Sequence, residues 1–223
     1  MSLDPIAETA IDTLTLSGRP LLVVDVDEVV LHMVKPLTAW LALQGLQLDI
    51  RSYRLGGNIR RVETGEIVPD TAVAALIQAF FDDRIHAQEA VADAADVLGR
   101  LERRCDVILL TNAPHRHRET RLSNLAAQRI TAPLITSSGP KGPAVQRLRD
   151  RSIGASSDGT VVFIDDSTQN LESVHAFVPE ATLVHFIAHP DFRALARDVA
   201  GVSLKTGDWL AVERLVAGLI GQR

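Results

Sequence analysis

The sequence predicts an α/β fold of three layers, with helices on both faces of a parallel five-stranded sheet and a small inserted cap. Three observations carry this expectation. Five short apolar runs, at 21–24, 107–110, 134–136, 161–164 and 182–187, read as buried strands. Amphipathic stretches at roughly 92–103, 116–129, 142–151 and 170–177 alternate with them, the rhythm of right-handed strand–helix–strand crossovers. About sixty residues separate the first strand from the helix near Ala92, far more than a strand–helix loop needs.

The first strand, Pro20-Leu21-Leu22-Val23-Val24, runs straight into Asp25-Val26-Asp27-Glu28-Val29-Val30. Residues two apart on a strand share a face, so Asp25 and Asp27 project together from its carboxyl end, where open α/β sheets bind ligands. Two close carboxylates repel, and a divalent cation relieves the repulsion. Taken alone, the D-x-D pattern fits such a site or an acidic turn capping the next helix equally well.

The long segment that follows holds an apolar helix around 37–43, then Tyr53-Arg54-Leu55-Gly56-Gly57-Asn58-Ile59-Arg60-Arg61. Gly56-Gly57 between alternating residues predicts a hairpin turn. A second helix is predicted near 69–81, with Pro69 in its first turn. Residues 31–87 are thus expected to form the cap, and 1–30 with 88–223 the core. Trp40 reads as packing within the cap. Ala155-Ser156-Ser157-Asp158-Gly159 reads as a surface turn. Leu210, Val212, Leu215, Val216, Leu219 and Ile220 form the apolar stripe of a docked C-terminal helix.

Composition bounds the function. The chain has 223 residues, 46% hydrophobic and 23% charged, enough for a sizeable core. A net charge of −5 argues against a nucleic-acid surface. No run approaches the roughly 18 apolar residues of a membrane span, and the first residues do not have the pattern of a signal peptide. The single Cys105 precedes a strand and reads as a buried structural thiol, which fits a cytoplasmic protein.

The other strand ends are also unusual. Residues 107–110 lead into Thr111-Asn112, and 161–164 into Asp165-Asp166-Ser167. Between them Ser138-Gly139-Pro140-Lys141-Gly142-Pro143 is a tight loop presenting one lysine. Each piece has a plain structural reading: Thr111 as a helix cap, Asp165-Asp166 as a cap with a dipole-favoured neighbour, Lys141 as a solvated loop residue. Their joint occurrence, in this order at one sheet edge, favours a site.

This order resembles the haloacid dehalogenase-like (HAD) superfamily. Asp25 to Val30 matches its first motif, Thr111 its second, Lys141 its third, and Asp165 with Asp166 its fourth. The resemblance spans about Leu21 to Ala188 and implies a Rossmann-like core with a small C1-type cap. It further implies a phosphatase in which Asp25 is the nucleophile and Asp27 the acid–base. Mg²⁺ would be held by Asp25, Asp27 through its backbone carbonyl, Asp165 and Asp166. Thr111 and Lys141 would bind the phosphoryl oxygens, with Asn112 beside them.

The second acid, Asp27, is similar to phosphatases and phosphomutases of that superfamily rather than to its dehalogenases. The expected function is Mg²⁺-dependent hydrolysis of a small-molecule phosphomonoester, the partner being a small phosphorylated metabolite. A phosphomutase and a non-catalytic binding module of the same fold are the alternatives. A receiver domain places its phospho-acceptor after the third strand, and no P-loop motif occurs. Arg54 and Arg60, with Arg51 and Arg61, either clamp a second anionic group of the substrate or line a solvated hairpin face. His115, Arg116, His117 and Arg118 read as a solvated first helical turn rather than a substrate-attracting rim.

Overall fold

The computed structural model describes residues 3–154 and 159–221. In chain order the first elements are helix α1 (Pro5–Asp12), strand β1 (Leu21–Val24), α2 (Val34–Leu43), β2 (Leu46–Leu48), β3 (Ile59–Arg61) and α3 (Asp70–Arg84). Next come α4 (Ala94–Leu101), β4 (Asp106–Thr111), α5 (Arg118–Ala127), β5 (Leu134–Thr136), α6 (Gly142–Gly154) and β6 (Val161–Asp165). The chain closes with α7 (Thr168–Phe177), β7 (Thr182–Phe186), α8 (Pro190–Leu195), β8 (Val202–Thr206) and α9 (Trp209–Gly221).

The main sheet has six strands in the order β5-β4-β1-β6-β7-β8, not the five expected, and all its pairings are parallel. The additional strand is β8 at the edge. Its sequence, Val-Ser-Leu-Lys-Thr, alternates half-buried and exposed residues, so it lacks the apolar run that marks the inner strands. The helix α1 was also not anticipated. Asp4 caps it, accepting from the Ile6 and Ala7 amides, and Pro5 opens its first turn. Residues 155–158 of the expected surface turn lie outside the described residues.

Strand β1 sits between β4 and β6, and all four of its residues are buried. Leu22 and Val24 pack with Val97 and Leu98 of α4 and with Trp209 and Val212 of α9. Leu21 and Val23 pack on the other face with Ile11 of α1, Leu148 of α6 and Val174 of α7. The period-two alternation thus feeds two apolar layers, which makes the three-layer sandwich. Cys105 is buried in the first of these layers.

A third apolar cluster forms between β1 and α4. It joins Leu37, Trp40 and Leu41 of α2, Leu46 and Leu48 of β2, Ile59 of β3, and Val73, Phe80 and Phe81 of α3. Core residues Ala113, Ile187, Phe192 and Ala196 share it. Trp40 meets Phe80 edge-on with centroids 6.1 Å apart, and its indole N–H donates to Asp83 at 2.9 Å. Burial of Phe80 alone contributes about 1.5–3 kcal/mol.

Strands β2 and β3 pair antiparallel, but Gly56-Gly57 is not a two-residue turn. The connection runs from residue 49 to 58 and is organised by buried Asn58. Its amide donates to the Ser52 and Arg54 carbonyls, and its oxygen accepts from the Arg51 amide and the Ser52 hydroxyl. Only Gly57 takes the left-handed conformation, at φ 78°. The inner hydrogen bonding of one buried asparagine outweighs the glycine-pair signal.

Among the described residues, no helix is long and apolar enough to cross a membrane.

Candidate active site at the carboxyl ends of the strands

Sheet register builds the site. Val24 lies level with Leu109 and Ile164, so Asp25 leaves β1 beside the ends of β4 and β6. The Asp25 amide still donates to the Ile164 carbonyl at 2.9 Å, which holds the backbone in strand geometry up to the carboxylate. The chain then turns at Glu28, a non-glycine residue with φ 65°. Its carboxylate accepts from the Met33 and Val34 amides at 2.9 and 2.8 Å, supplying the acceptor that the start of α2 otherwise lacks.

Lys141 is fully buried and bridges two carboxylates, 2.6 Å from Asp25 and 2.7 Å from Asp165. Its neighbour explains the depth. Gly142 lies so close to α7 that a Cβ there would sit 2.5 Å from the Ser173 carbonyl oxygen, and its amide donates to the Ser173 hydroxyl. Burial opposes charge on Lys141, but Asp165 and Asp25 outweigh it and hold the ammonium above its ordinary range. Asp165 also accepts from the Ser167 amide and from Asn170. A solvated loop lysine is therefore not what the structure shows.

Carboxylate oxygens of Asp25, Asp165 and Asp166 lie within 4.8 Å of one another. Burial pushes Asp25 up to about 7 against the pull of Lys141, with Asp165 and Asp27 adding to the rise. Burial likewise holds Asp166 well above the usual carboxylate range, with Asp25, Asp165 and Glu28 contributing. Crowded, desolvated oxygen donors of this kind fit a hard divalent cation such as Mg²⁺.

The Asp27 side chain stands apart from this trio. Its Oδ1 accepts from the Arg121 guanidinium at 2.7 Å and from Gln88 at 3.0 Å, and its Oδ2 lies 3.5 Å from the Thr111 hydroxyl. Thr111 is buried at the end of β4, and its oxygen also accepts from the Ala113 amide at 3.0 Å. Asn112 donates to the Ser137 and Gly139 carbonyls and so ties β4 to the loop that carries Lys141. Asp25, Asp27, Thr111, Asn112 and Asp166 together line a cavity of about 550 Å³.

The arginines separate. Arg54 is exposed and lines an adjoining chamber with Asp166 and Tyr53. Arg60 points elsewhere: it approaches Asp49 at 3.5 Å, donates to the Gly65 carbonyl, and belongs to the β2–β3 unit. Arg60 lines neither this chamber nor the carboxylate cavity, and its guanidinium serves the hairpin. His115 bridges Thr136 and Asp4, while Arg116 and His117 both grip Asp82 of α3. These residues join α3 and the N-terminal cap to the β4 end, instead of being merely solvated.

Arg121, Gln88, Tyr53 and His185 were not anticipated. Arg121 lies one turn before Leu125 on the buried face of α5, and a charge on an apolar face is the signal that marks it. The Tyr53 hydroxyl donates to the Asp166 carbonyl, which also accepts from His185 at 2.9 Å. Burial, with Asp166 next, raises the Tyr53 phenol far above its ordinary range, so it acts as a donor.

Solved structures of similar fold cover nearly the whole chain. A conserved haloacid dehalogenase-like protein of unknown function from Agrobacterium tumefaciens superposes with a TM-score of 0.60 at 11% identity, over 91% of this chain and 99% of the other. A haloacid dehalogenase-like family hydrolase from Streptococcus pneumoniae gives 0.54 at 10% identity, over 90% and 100%. A hydrolase from Pseudomonas syringae gives 0.56 at 15% identity, over 90% and 99%. Dehalogenases are among the similar structures as well. No protein-family model and no curated protein sequence matches the chain. The chain has the haloacid dehalogenase-like fold.

Proposed function

We propose that this chain is a Mg²⁺-dependent phosphatase that cleaves a small-molecule phosphomonoester through phosphoryl transfer to Asp25. The observation that supports it is the placement of two carboxylates, Asp25 and Asp27, with Thr111 on one cavity, backed by a buried lysine and a second acidic strand end. A dehalogenase needs no second acid beside its nucleophile, and here Asp27 is held in the cavity by two donors of its own.

In this reading Asp25 attacks phosphorus as the bond to the leaving oxygen breaks, and that oxygen takes a proton from Asp27. Oδ2 is the oxygen through which that proton passes, since Oδ1 already accepts from Arg121 and Gln88. Water then gives a proton to Asp27 and attacks the phosphorus, releasing phosphate and restoring Asp25. Thr111 donates to the phosphoryl oxygens, and Lys141 holds Asp25 in place between strands. Asp25, Asp165, Asp166 and the Asp27 carbonyl would hold Mg²⁺, which when bound offsets negative charge on the nucleophile and the phosphoryl group. Residues 31–87 act as the cap that selects the substrate, and Arg54 as its contact with a distal anionic group.

The test is phosphate release from a generic aryl phosphate by the purified protein. Activity should need Mg²⁺, vanish on chelation and vanish in Asp25→Asn. Equal turnover without metal, or in Asp25→Asn, overturns the reading.

A further inference from the structure

Beside the carboxylate cavity lies a second chamber of about 240 Å³. The two share Met33, Asp166, Ser167 and Gln169, so they adjoin. The character changes between them. The second chamber is walled by Leu37 of α2, Tyr53 and Leu55 of the 49–58 connection, and Ile187 and Phe192 of the core. Tyr53 stands edge-on to Phe192 with centroids 5.9 Å apart, and its hydroxyl is spent on the Asp166 carbonyl, so the ring presents carbon to the space. An apolar cavity of about 150 Å³ is large enough to take benzene, so this volume holds one ring with a short substituent.

Arg54 lies on the exposed side of this chamber. Its guanidinium makes no hydrogen bond or ion pair among the described residues, whereas Arg51 and Arg60 both spend theirs on Asp49. It lies over Gly57, where a Cβ would come within 3.4 Å of Nη2. Two carboxylates also line the chamber: Glu28, whose Oε2 caps α2 while its Oε1 is buried without a partner, and Asp166 of the acidic trio. An unpaired cation on the outer side of an apolar space suits a ligand with a flat apolar body and an anionic far end.

We infer that this chamber receives the leaving group, and that the substrate is a phosphomonoester of an aromatic alcohol or phenol carrying a carboxylate. The inference rests on the phosphatase reading above and names the substrate class of that site.

Two measurements test it. The first compares phenyl phosphate with 4-carboxyphenyl phosphate in the wild type, Arg54→Ala and Leu55→Trp. The wild type should favour the carboxylated ester through KM, and Arg54→Ala should shrink that preference about tenfold, the scale of one exposed charge-assisted hydrogen bond. Leu55→Trp should raise KM for both esters while glycerol 2-phosphate, which has no ring, keeps its own. An unchanged preference in Arg54→Ala, or equal effects of Leu55→Trp on all three esters, overturns the inference. The second titrates 4-hydroxybenzoate into the protein by calorimetry, with no turnover required. Saturable binding that weakens in Arg54→Ala supports the chamber assignment even if no ester is cleaved and the phosphatase reading falls. No binding, or binding indifferent to Arg54, rejects it.

Discussion

Arg121, fully buried on α5, forms a 2.7 Å ion pair with the half-buried Asp27 in the turn that follows β1. The arginine has no exposed surface, and the Phe81 ring of α3 lies 5.9 Å from its guanidinium carbon. Asp27 is thereby held by two elements that carry no reacting group, with Gln88 as the second donor. Such fixing matters because a proton-transfer group has to stay within hydrogen-bond reach of the leaving oxygen.

Removal of Arg121 is expected to reduce kcat with little change in KM. Arg121→Met should lose no more than the roughly 10²–10⁴-fold that acid–base help supplies. The decisive measurement is a double-mutant cycle with Asp27→Asn. If Arg121 acts by positioning Asp27, it adds nothing further in the Asp27→Asn background. Additive losses would show that Arg121 serves the fold instead.

Asp25 and Asp27 are expected to fail in different ways. Asp25→Asn should form no phosphoenzyme. Asp27→Asn keeps the nucleophile and Lys141, so a substrate with a good leaving group should load Asp25 and then stall before hydrolysis. Quench-flow with acid-trapped, radiolabelled phosphoenzyme distinguishes the two. Steady-state turnover at the wild-type rate in Asp27→Asn would remove its assigned role.

The fold was legible where residues are buried on both faces and hidden where they are not. Strand β1 is four buried residues in a row and announces itself. Strand β8 is an edge strand with an exposed serine and lysine, and β-pattern signals fade there. The site divided in the same way. Asp25, Thr111, Lys141 and Asp165 come from strand ends and the loop that closes them, where local sequence dictates position. Arg121 and Gln88 reach Asp27 across 94 and 61 residues, so no local pattern links them. Arg54 and Arg60 are close in sequence and diverge in space, because Asn58 bends the connection between them.

The acidic trio predicts a stability effect of metal that does not depend on turnover. Mg²⁺ should raise the melting temperature saturably, since a ligand that binds only the folded state stabilises it. Asp166→Asn should weaken that shift by removing a carboxylate donor while leaving the Tyr53 and His185 bonds to its backbone carbonyl. Thermal melts across a Mg²⁺ series, with Ca²⁺ and Na⁺ as comparisons, check it. A melting temperature indifferent to Mg²⁺ would argue against the trio as a metal centre.

Asp4 carries the last prediction, and its effect depends on pH. It caps α1, accepts from the Ser138 amide at 2.8 Å and faces His115 at 2.9 Å, so the N-terminal helix, the lysine loop and the β4 end meet on one carboxylate. Burial pushes this carboxylate up, but the Ser138 hydroxyl and the Ile6, Ala7 and Ser138 amides outweigh it and hold it below its ordinary 3.8. A carboxylate depressed in the folded state contributes stability fully above its unfolded value and loses it as pH falls toward its folded one. Asp4→Asn keeps the helix-capping oxygen but loses the charge on the oxygen that accepts from Ser138 and faces His115, so it should cost about 1.5–3 kcal/mol near pH 7, the scale of a hydrogen bond to a charged group. The difference from wild type should narrow once pH drops below about 3.8, where the unfolded wild type begins to bind the extra proton. Urea midpoints for both proteins at pH 7, 5, 4 and 3 measure it. A gap that stays constant over that range would mean that Asp4 acts through packing and that its charge adds nothing.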